Sequence, residues 1–239
     1  MNFNDYKYER VDINHTKKKF SSLIKLFSES KNIQEQIKYM DEVIKLRNHV
    51  DTMTTLVSIR HSINTNDEFY DNENEYCDEI SPIIFSFVTD FYKALINSKF
   101  RKELEEKYGK FLFDIAELSL KTFDEKIIND LQNENKLSSK YSKLIASAKI
   151  PFDGEDRNLS QMTPYTQSKD RNVRIEASKK VAHFFKKNKK KFDDIYDSLV
   201  KLRTNIAQKL GFKNYVELGY ARLLRIDYNS EMVSSYREQ

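Results

Sequence analysis

Breakers of secondary structure are scarce in this chain. Its 239 residues include 4 Gly and 3 Pro, where usual frequencies near 7% and 5% would supply about 17 and about 12. Tight turns draw mostly on these two residues. A sandwich, a barrel or any fold that turns every ten residues is therefore excluded, as is a collagen-like or Pro-rich chain. A single cysteine, Cys77, forms no internal disulfide and points to a reducing, cytoplasmic compartment. No apolar run approaches the roughly 20 residues of a transmembrane helix, and the opening MNFNDYKYER lacks the apolar core of a secretory signal. An excess of one charge is also missing. Lys and Arg number 41 against 37 Asp and Glu, leaving +4, too little for a nucleic-acid-binding face. Neither a membrane nor a nucleic acid is expected as a partner.

What is present is aromatic residues and helical periodicity. Phe and Tyr contribute 16 and 14 residues, a share that disordered chains lack, while a mean hydropathy of −0.72 is that of a soluble protein. Apolar residues recur at i, i+3, i+4 and i+7 in several long stretches. Thr16 caps a first helix carrying Phe20, Leu23, Ile24 and Phe27. Asn32 and Glu35 read as a capping box for a helix to about Ser62. A third opens at Asn66-Asp67 and runs through Leu95, with a kink or fresh start expected at Pro82. Ser98 caps a fourth, and a fifth covers Thr122 to about Leu144. Pro151, Gly154 and Pro164 then cluster, and Asp153-Gly154 reads as the turn of a hairpin with arms near 145–152 and 157–161. Helical spacing returns from Asp170 to Leu210, Gly211 sits at a helix C′ position, Asn214 and Glu217 suggest a second capping box, and Asn229-Ser230 opens a last helix. The expected fold is all-α: a multi-helix lobe of long antiparallel helices with one short β-hairpin near 145–161. An N-terminal helical lobe takes 1–149, and the hairpin opens a second unit over 150–239. The chain stops about two turns into its last helix, which suggests part of something longer.

Chemistry-bearing motifs are few. His15, His49, His61 and His183 form no H-E-x-x-H. His49 and His61 lie about 120° apart around a helix and do not converge, so no zinc site is expected from this chain alone. The run Lys186 to Lys191 is followed at once by Asp193, Asp194 and Asp197, the pattern of a solvated helix face. The acidic stretch Asn64 to Glu79 has no Gly for a calcium loop and suits a helix N-terminus. Phosphate-binding glycine loops and the nucleophile elbow are absent.

Three stretches together resemble one family: IRHSINTNDEFYDNENEYCDEISP (Ile59 to Pro82), AKIPFDGEDRNLSQMTPYTQSKDRNVRIEA (Ala148 to Ala177) and LRTNIAQKLGFKNYVELGYARLLRIDYN (Leu202 to Asn229). In this order they are similar to the oligoendopeptidase F branch of the thimet-type zinc oligopeptidases, the third stretch being the most specific. The resemblance implies a helical molecule around a deep channel, with a zinc-bound water activated by the Glu of an H-E-x-x-H helix to hydrolyse oligopeptides. Family members are more than twice as long, and no position here matches a zinc ligand or the base. The implied identity is the N-terminal part of such an enzyme, with residues from 150 on starting a truncated catalytic lobe. It is inactive alone, carries no cofactor itself, and has the missing C-terminal half as a partner. Substrate-channel candidates are Ile150 and Phe152 on the hairpin, where sheet edges pair with peptide backbones, and Tyr220, Arg222 and Arg225 near the chain end. The two arginines, three apart on one helix face, either meet a peptide carboxylate or form a structural ion pair with Glu217 or Asp227. The alternative to the whole reading is a free-standing helical module that binds a peptide or protein.

Overall fold

Asp12, one turn earlier than Thr16, starts the first helix, because its carboxylate accepts the free N–H groups of both Asn14 and His15 at 2.9 Å. The computed structural model describes residues 2–239. In them α1 is Ile13–Glu29, α2 Ile33–Ile63, α3 Glu68–Ile96, α4 Arg101–Tyr108, α5 Lys110–Lys121 and α6 Ile128–Ala146. A hairpin of β1 (Ile150–Phe152) and β2 (Glu155–Arg157) follows, then α7 (Leu159–Thr166), α8 (Arg171–Lys187), α9 (Lys189–Lys209), α10 (Tyr215–Arg222) and α11 (Ser230–Glu238). The all-α expectation with one short hairpin holds.

Most boundaries follow from caps that the sequence shows. Asn32 takes the Glu35 N–H and Asp67 takes those of Phe69 and Tyr70. Several joints differ. Ser98 accepts the Phe100 N–H, but the helix beyond it breaks at Gly109 into α4 and α5. There φ is 85° and ψ 147°, a region that residues other than glycine hardly enter. The stretch 170–210 is likewise two helices, broken at Asn188, whose amide donates to the Phe184 carbonyl. The fifth predicted helix begins only at Ile128, after a 3-10 turn capped by Asp124. The hairpin is shorter than expected, pairing Ile150 with Arg157 and Phe152 with Glu155. Residues from Asn158 on form a capping box with Gln161 and open α7 instead. Asn214 caps the Val216 N–H without the reciprocal bond from Glu217.

The core is divided. Phe20, Phe27, Met40, Phe87, Phe91, Leu95 and Phe113 join α1, α2, α3 and α5, and Val50, Leu56, Ile80 and Ile84 continue the contact of α2 with α3. Ala148, Ile150, Met162, Ala177 and Phe184 hold the hairpin against α7 and α8. Ile127, Ile206, Ala207 and Leu218 tie the start of α6 to α9 and α10. A fully buried Phe or Leu contributes roughly 1.5–3 kcal/mol, so each cluster holds its neighbours firmly. No helix of the described residues is long and apolar enough to cross a membrane.

Candidate functional site

Helices α2 and α6 both pack on α3, antiparallel to it. Arg47 reaches Tyr92 while Arg60 reaches Tyr70, and Glu79 meets Lys136 while Asp71 meets Lys143. The space between α2 and α6 is a groove with α3 as its floor. Its larger end, about 720 Å³, is bounded by Arg47, Phe85, Leu112, Leu131 and Arg222. The other end, about 470 Å³, is bounded by His61, Asn74, Asp78, Ser139 and Ser142. A depression of about 310 Å³ bridges them through Ser58, Asp78, Ser81 and Asn135. From Arg47 to His61, α2 rises about 21 Å at 1.5 Å per residue, which sets the length of the groove.

Short polar side chains line its middle. Thr54, Ser81 and Ser138 return their hydroxyl hydrogens to the carbonyls of Val50, Cys77 and Glu134 on their own helices. Their oxygens remain acceptors. The floor is made at Pro82, which lies inside α3 without interrupting it. No fresh start occurs there, because the hydrogen bond that the proline removes is replaced. Pro82 has no N–H for the Asp78 carbonyl four residues back, and the Asn135 amide of α6 donates to that carbonyl at 3.0 Å. One turn away Gln132 donates to the Glu79 carbonyl at 2.8 Å. The proline thus turns a helix backbone into a docking point for α6.

The two ends differ in charge. At the larger end Glu134 is buried and accepts from Arg203 Nε at 2.7 Å and from Arg222 Nη1 at 2.9 Å. Burial works against the Arg203 charge, but hydrogen bonding to Glu134, with the charges of Tyr215 and Glu134, raises its pKa above the ordinary value. Arg47 donates through Nη1 to the Tyr92 hydroxyl at 3.1 Å and lies 3.4 Å from Asp51. Nothing among the described residues bonds its Nη2. At the other end buried His61 meets Asp71 at 3.0 Å, and Lys143 approaches Asp71 at 2.5 Å and Glu75 at 3.5 Å. Burial opposes the Asp71 charge, yet Lys143 and His61 hold its carboxyl below the usual range. Asp78 is the reverse. Burial pushes its carboxyl up, against the hydrogen bond from Ser139 at 2.6 Å. That bond occupies Oδ2. Since no buried polar side-chain atom of the described residues is left unpaired, Oδ1, which has no protein donor, faces the solvent of the groove.

Of the five substrate-channel candidates, only Arg222 lines the groove, and its ion pair is with Glu134 rather than Glu217 or Asp227. Arg225 lies beyond the end of α10, stacked 4.5 Å over the half-buried Tyr220 ring, so the two arginines do not share a helix face. Ile150 is buried in the hairpin cluster, and Phe152 packs edge-on against Tyr165 at 4.9 Å. Arg47, Asp78, Glu134 and Asn135 were missed. Their signal was present, as polar residues at i, i+3 and i+4 down α2 (Arg47, Asp51, Thr54, Ser58) and α6 (Glu134, Asn135, Ser138, Ser142). A helix face of this kind reads as solvated until a second one is known to face it. No group of three or more His, Cys, Asp or Glu among the described residues is placed to hold a metal ion. His15, His49 and His183 are exposed singly.

Comparison with known proteins agrees with the fold. The model of the peptidase M3 N-terminal domain matches residues 3–123. PZ peptidase A, solved with an inhibitor, is 51% identical with a TM-score of 0.96. A Bacillus anthracis (strain Ames) protein assigned as oligoendopeptidase F is 49% identical at 0.97, and a further protein so assigned is 48% identical at 0.97. Each match covers 100% of this chain but only 42%, 44% and 42% of the other, so the chain spans less than half the length of these relatives. No curated protein matches it. Over the domain match and these three alignments, the chain belongs to the peptidase M3 family, in its oligoendopeptidase F branch, and corresponds to the N-terminal part.

Proposed function

We propose that the chain forms the substrate-facing N-terminal part of a zinc metallo-oligoendopeptidase that hydrolyses short peptides, and that the groove between α2 and α6 is part of the peptide path. The carrying observation is the groove itself, open, about 21 Å long and lined by hydroxyls, amides and fixed charges. An extended peptide needs such partners for its backbone N–H and C=O groups. The relatives' names as peptidases support the same reading. A cytoplasmic setting suits a chain whose one thiol is free and half-buried. Nucleic acid is not proposed as a partner, since Lys189 and Lys190 pair with Asp193 and Asp194.

The described residues do not fit a zinc ion. His61 is engaged by Asp71, the other three histidines stand alone, and no acidic or thiol group joins any of them in a ligand set. Zinc and the catalytic base belong, in this reading, to a C-terminal part outside this sequence, and the chain by itself binds peptides without cleaving them. The test is fluorescence anisotropy with labelled peptides of five to eight residues, alongside a quenched-peptide assay with added zinc. Saturable binding with no cleavage is expected. Cleavage that scales with chain concentration and resists purification would overturn the division of labour, and absence of binding would overturn the role of the groove.

A further inference from the structure

The two ends of the groove carry opposite charge, and each presents a charged side chain with an atom that has no protein partner. At one end Asp71, Glu75 and Asp78 outnumber Lys143, and Asp78 Oδ1 has no protein donor. At the other Arg47, Arg203 and Arg222 outnumber Asp51 and Glu134, and Arg47 Nη2 has no protein acceptor. Both oxygens of Glu134 are taken by arginines, so Glu134 does not repel an incoming carboxylate. On the floor Asp78 and Tyr92, the partner of Arg47, are about 21 Å apart along α3. At about 3.3 Å per extended residue this is the reach of roughly six residues.

We propose that the groove holds a short extended peptide in one direction, its free N-terminal ammonium at Asp78 and its C-terminal carboxylate at Arg47. This rests on the reading of the groove as a peptide path and adds polarity and a length of about six residues. The ammonium supplies the donor that Asp78 Oδ1 lacks, beside the Asn74 and Ser139 polar groups that already order Oδ2. The carboxylate supplies the acceptor that the Arg47 fork has spare. Ser58, Ser81 and Ser138 between them offer hydroxyl oxygens to backbone N–H groups. Burial already pushes the Asp78 carboxyl up, so the site gains from an incoming positive charge.

The experiment compares one hexapeptide, Ala-Ala-Phe-Ala-Ser-Ala, with free ends, N-acetylated, C-amidated and doubly capped, titrated calorimetrically at low ionic strength. Losing one charge-assisted contact weakens binding by about tenfold or more. Acetylation is expected to weaken binding to the wild-type chain by that factor and to have little further effect on Asp78→Asn, which keeps an acceptor for Ser139. Amidation is expected to weaken wild-type binding and to have little effect on Arg47→Gln, while Arg47→Lys retains part of the discrimination. Asp78→Asn must still discriminate the amide, and Arg47→Gln the acetyl group. Peptides that bind equally whatever their caps refute the polarity and leave the groove as a peptide path. If none of the four binds, both readings fail. Acetyl sensitivity that follows Arg47 instead of Asp78 reverses the direction and overturns the proposal.

Discussion

Asn135→Ala tests whether Pro82 is the reason that α6 sits where it does. In the native chain the Asn135 amide is the donor to the Asp78 carbonyl at 3.0 Å, in the place of the N–H that Pro82 lacks. Its removal leaves that carbonyl to groove water. A lost hydrogen bond costs about 1 kcal/mol, and up to about 3 kcal/mol where the orphaned group stays dry. Asn135 is half-buried at an open groove, so a loss of about 1–1.5 kcal/mol is expected. Pro82→Ala alone has no clear sign. It restores an N–H and removes a residue that costs a helix interior about 3 kcal/mol, but it empties a buried ring position and frees the unfolded chain. The cycle cancels those terms. With alanine at 82 the Asp78 carbonyl regains an intrahelical donor, and Asn135→Ala then costs only its remaining packing, so the coupling energy is about 1 kcal/mol. Urea denaturation followed by circular dichroism measures all four corners at constant slope. Equal costs of Asn135→Ala in both backgrounds, within about 0.3 kcal/mol, would refute the explanation of the unbroken helix.

Glu134→Ala leaves two guanidinium groups facing each other at the joint of α6, α9 and α10. Breaking a fully buried pair costs 3–5 kcal/mol, and the partial exposure of Arg203 reduces this to about 2–3 kcal/mol; a loss below about 0.5 kcal/mol in denaturant titration would show the pair to be ornamental. Gly109→Ala should cost about 1–3 kcal/mol although open space surrounds the added methyl, because φ of 85° with ψ of 147° strains any side chain; a thermal melt unchanged from wild type would contradict this. Burial pushes the Cys77 thiol up to about 11 from 9.0, so at pH 8 its thiolate is about a hundredfold scarcer than that of an unperturbed thiol, and a disulfide reagent should label it correspondingly slowly; labelling at the rate of a free thiol would mean the site is open. The raised pKa of Asp78 means that folding loses stability as pH rises through the interval between its unfolded and folded values. Asp78→Asn is therefore expected to be more stable than wild type at pH 7 and equal to it at pH 3, with Glu75, Cys77, Lys143 and His61 as the charged or titratable neighbours; a variant less stable at pH 7 would reverse the sign.

Much of the fold was legible because its signals are local. The side chains of Asn32 and Asp67 cap the helices they precede, and Phe20, Phe27, Phe87 and Phe91 bury as their spacing demands. The misjudged joints turn on facts beyond local pattern. Asn188 ends one helix and begins another with no glycine or proline to mark it. Gly109 could have been a tolerated helical glycine had its backbone not been needed in a conformation closed to other residues. Pro82 reads as a break because the donor that answers it is more than fifty residues away in the chain. The site was less legible for the same reason. Arg222 was noticed, but Glu134, its partner, precedes it by 88 residues, and nothing in the pattern of α6 distinguishes a groove wall from a solvated face.

Along the groove the chain departs from local rules three times, each time on the same surface. Ser138 and Ser142 stand in α6 where alanine, lysine or glutamate would favour the helix by a few tenths of a kcal/mol each. Pro82 stands inside α3, and its missing donor is replaced from another helix. Asp78 holds a half-buried carboxyl whose charged form the fold disfavours. The serines and Asp78 lower stability, Pro82 takes a donor from another helix, and none joins the core residues Ile80, Ile84 and Phe87 on the opposite side of α3. Larger side chains on these positions would fill the space, and apolar ones would close α2 onto α6. Short polar residues keep the groove open, wet and able to hydrogen-bond. Consistency across local and global structure is what folding favours, and sites of function are where it is given up. Three concessions aligned along about 21 Å are better explained by something that lies in the groove than by the packing of the helices that form it.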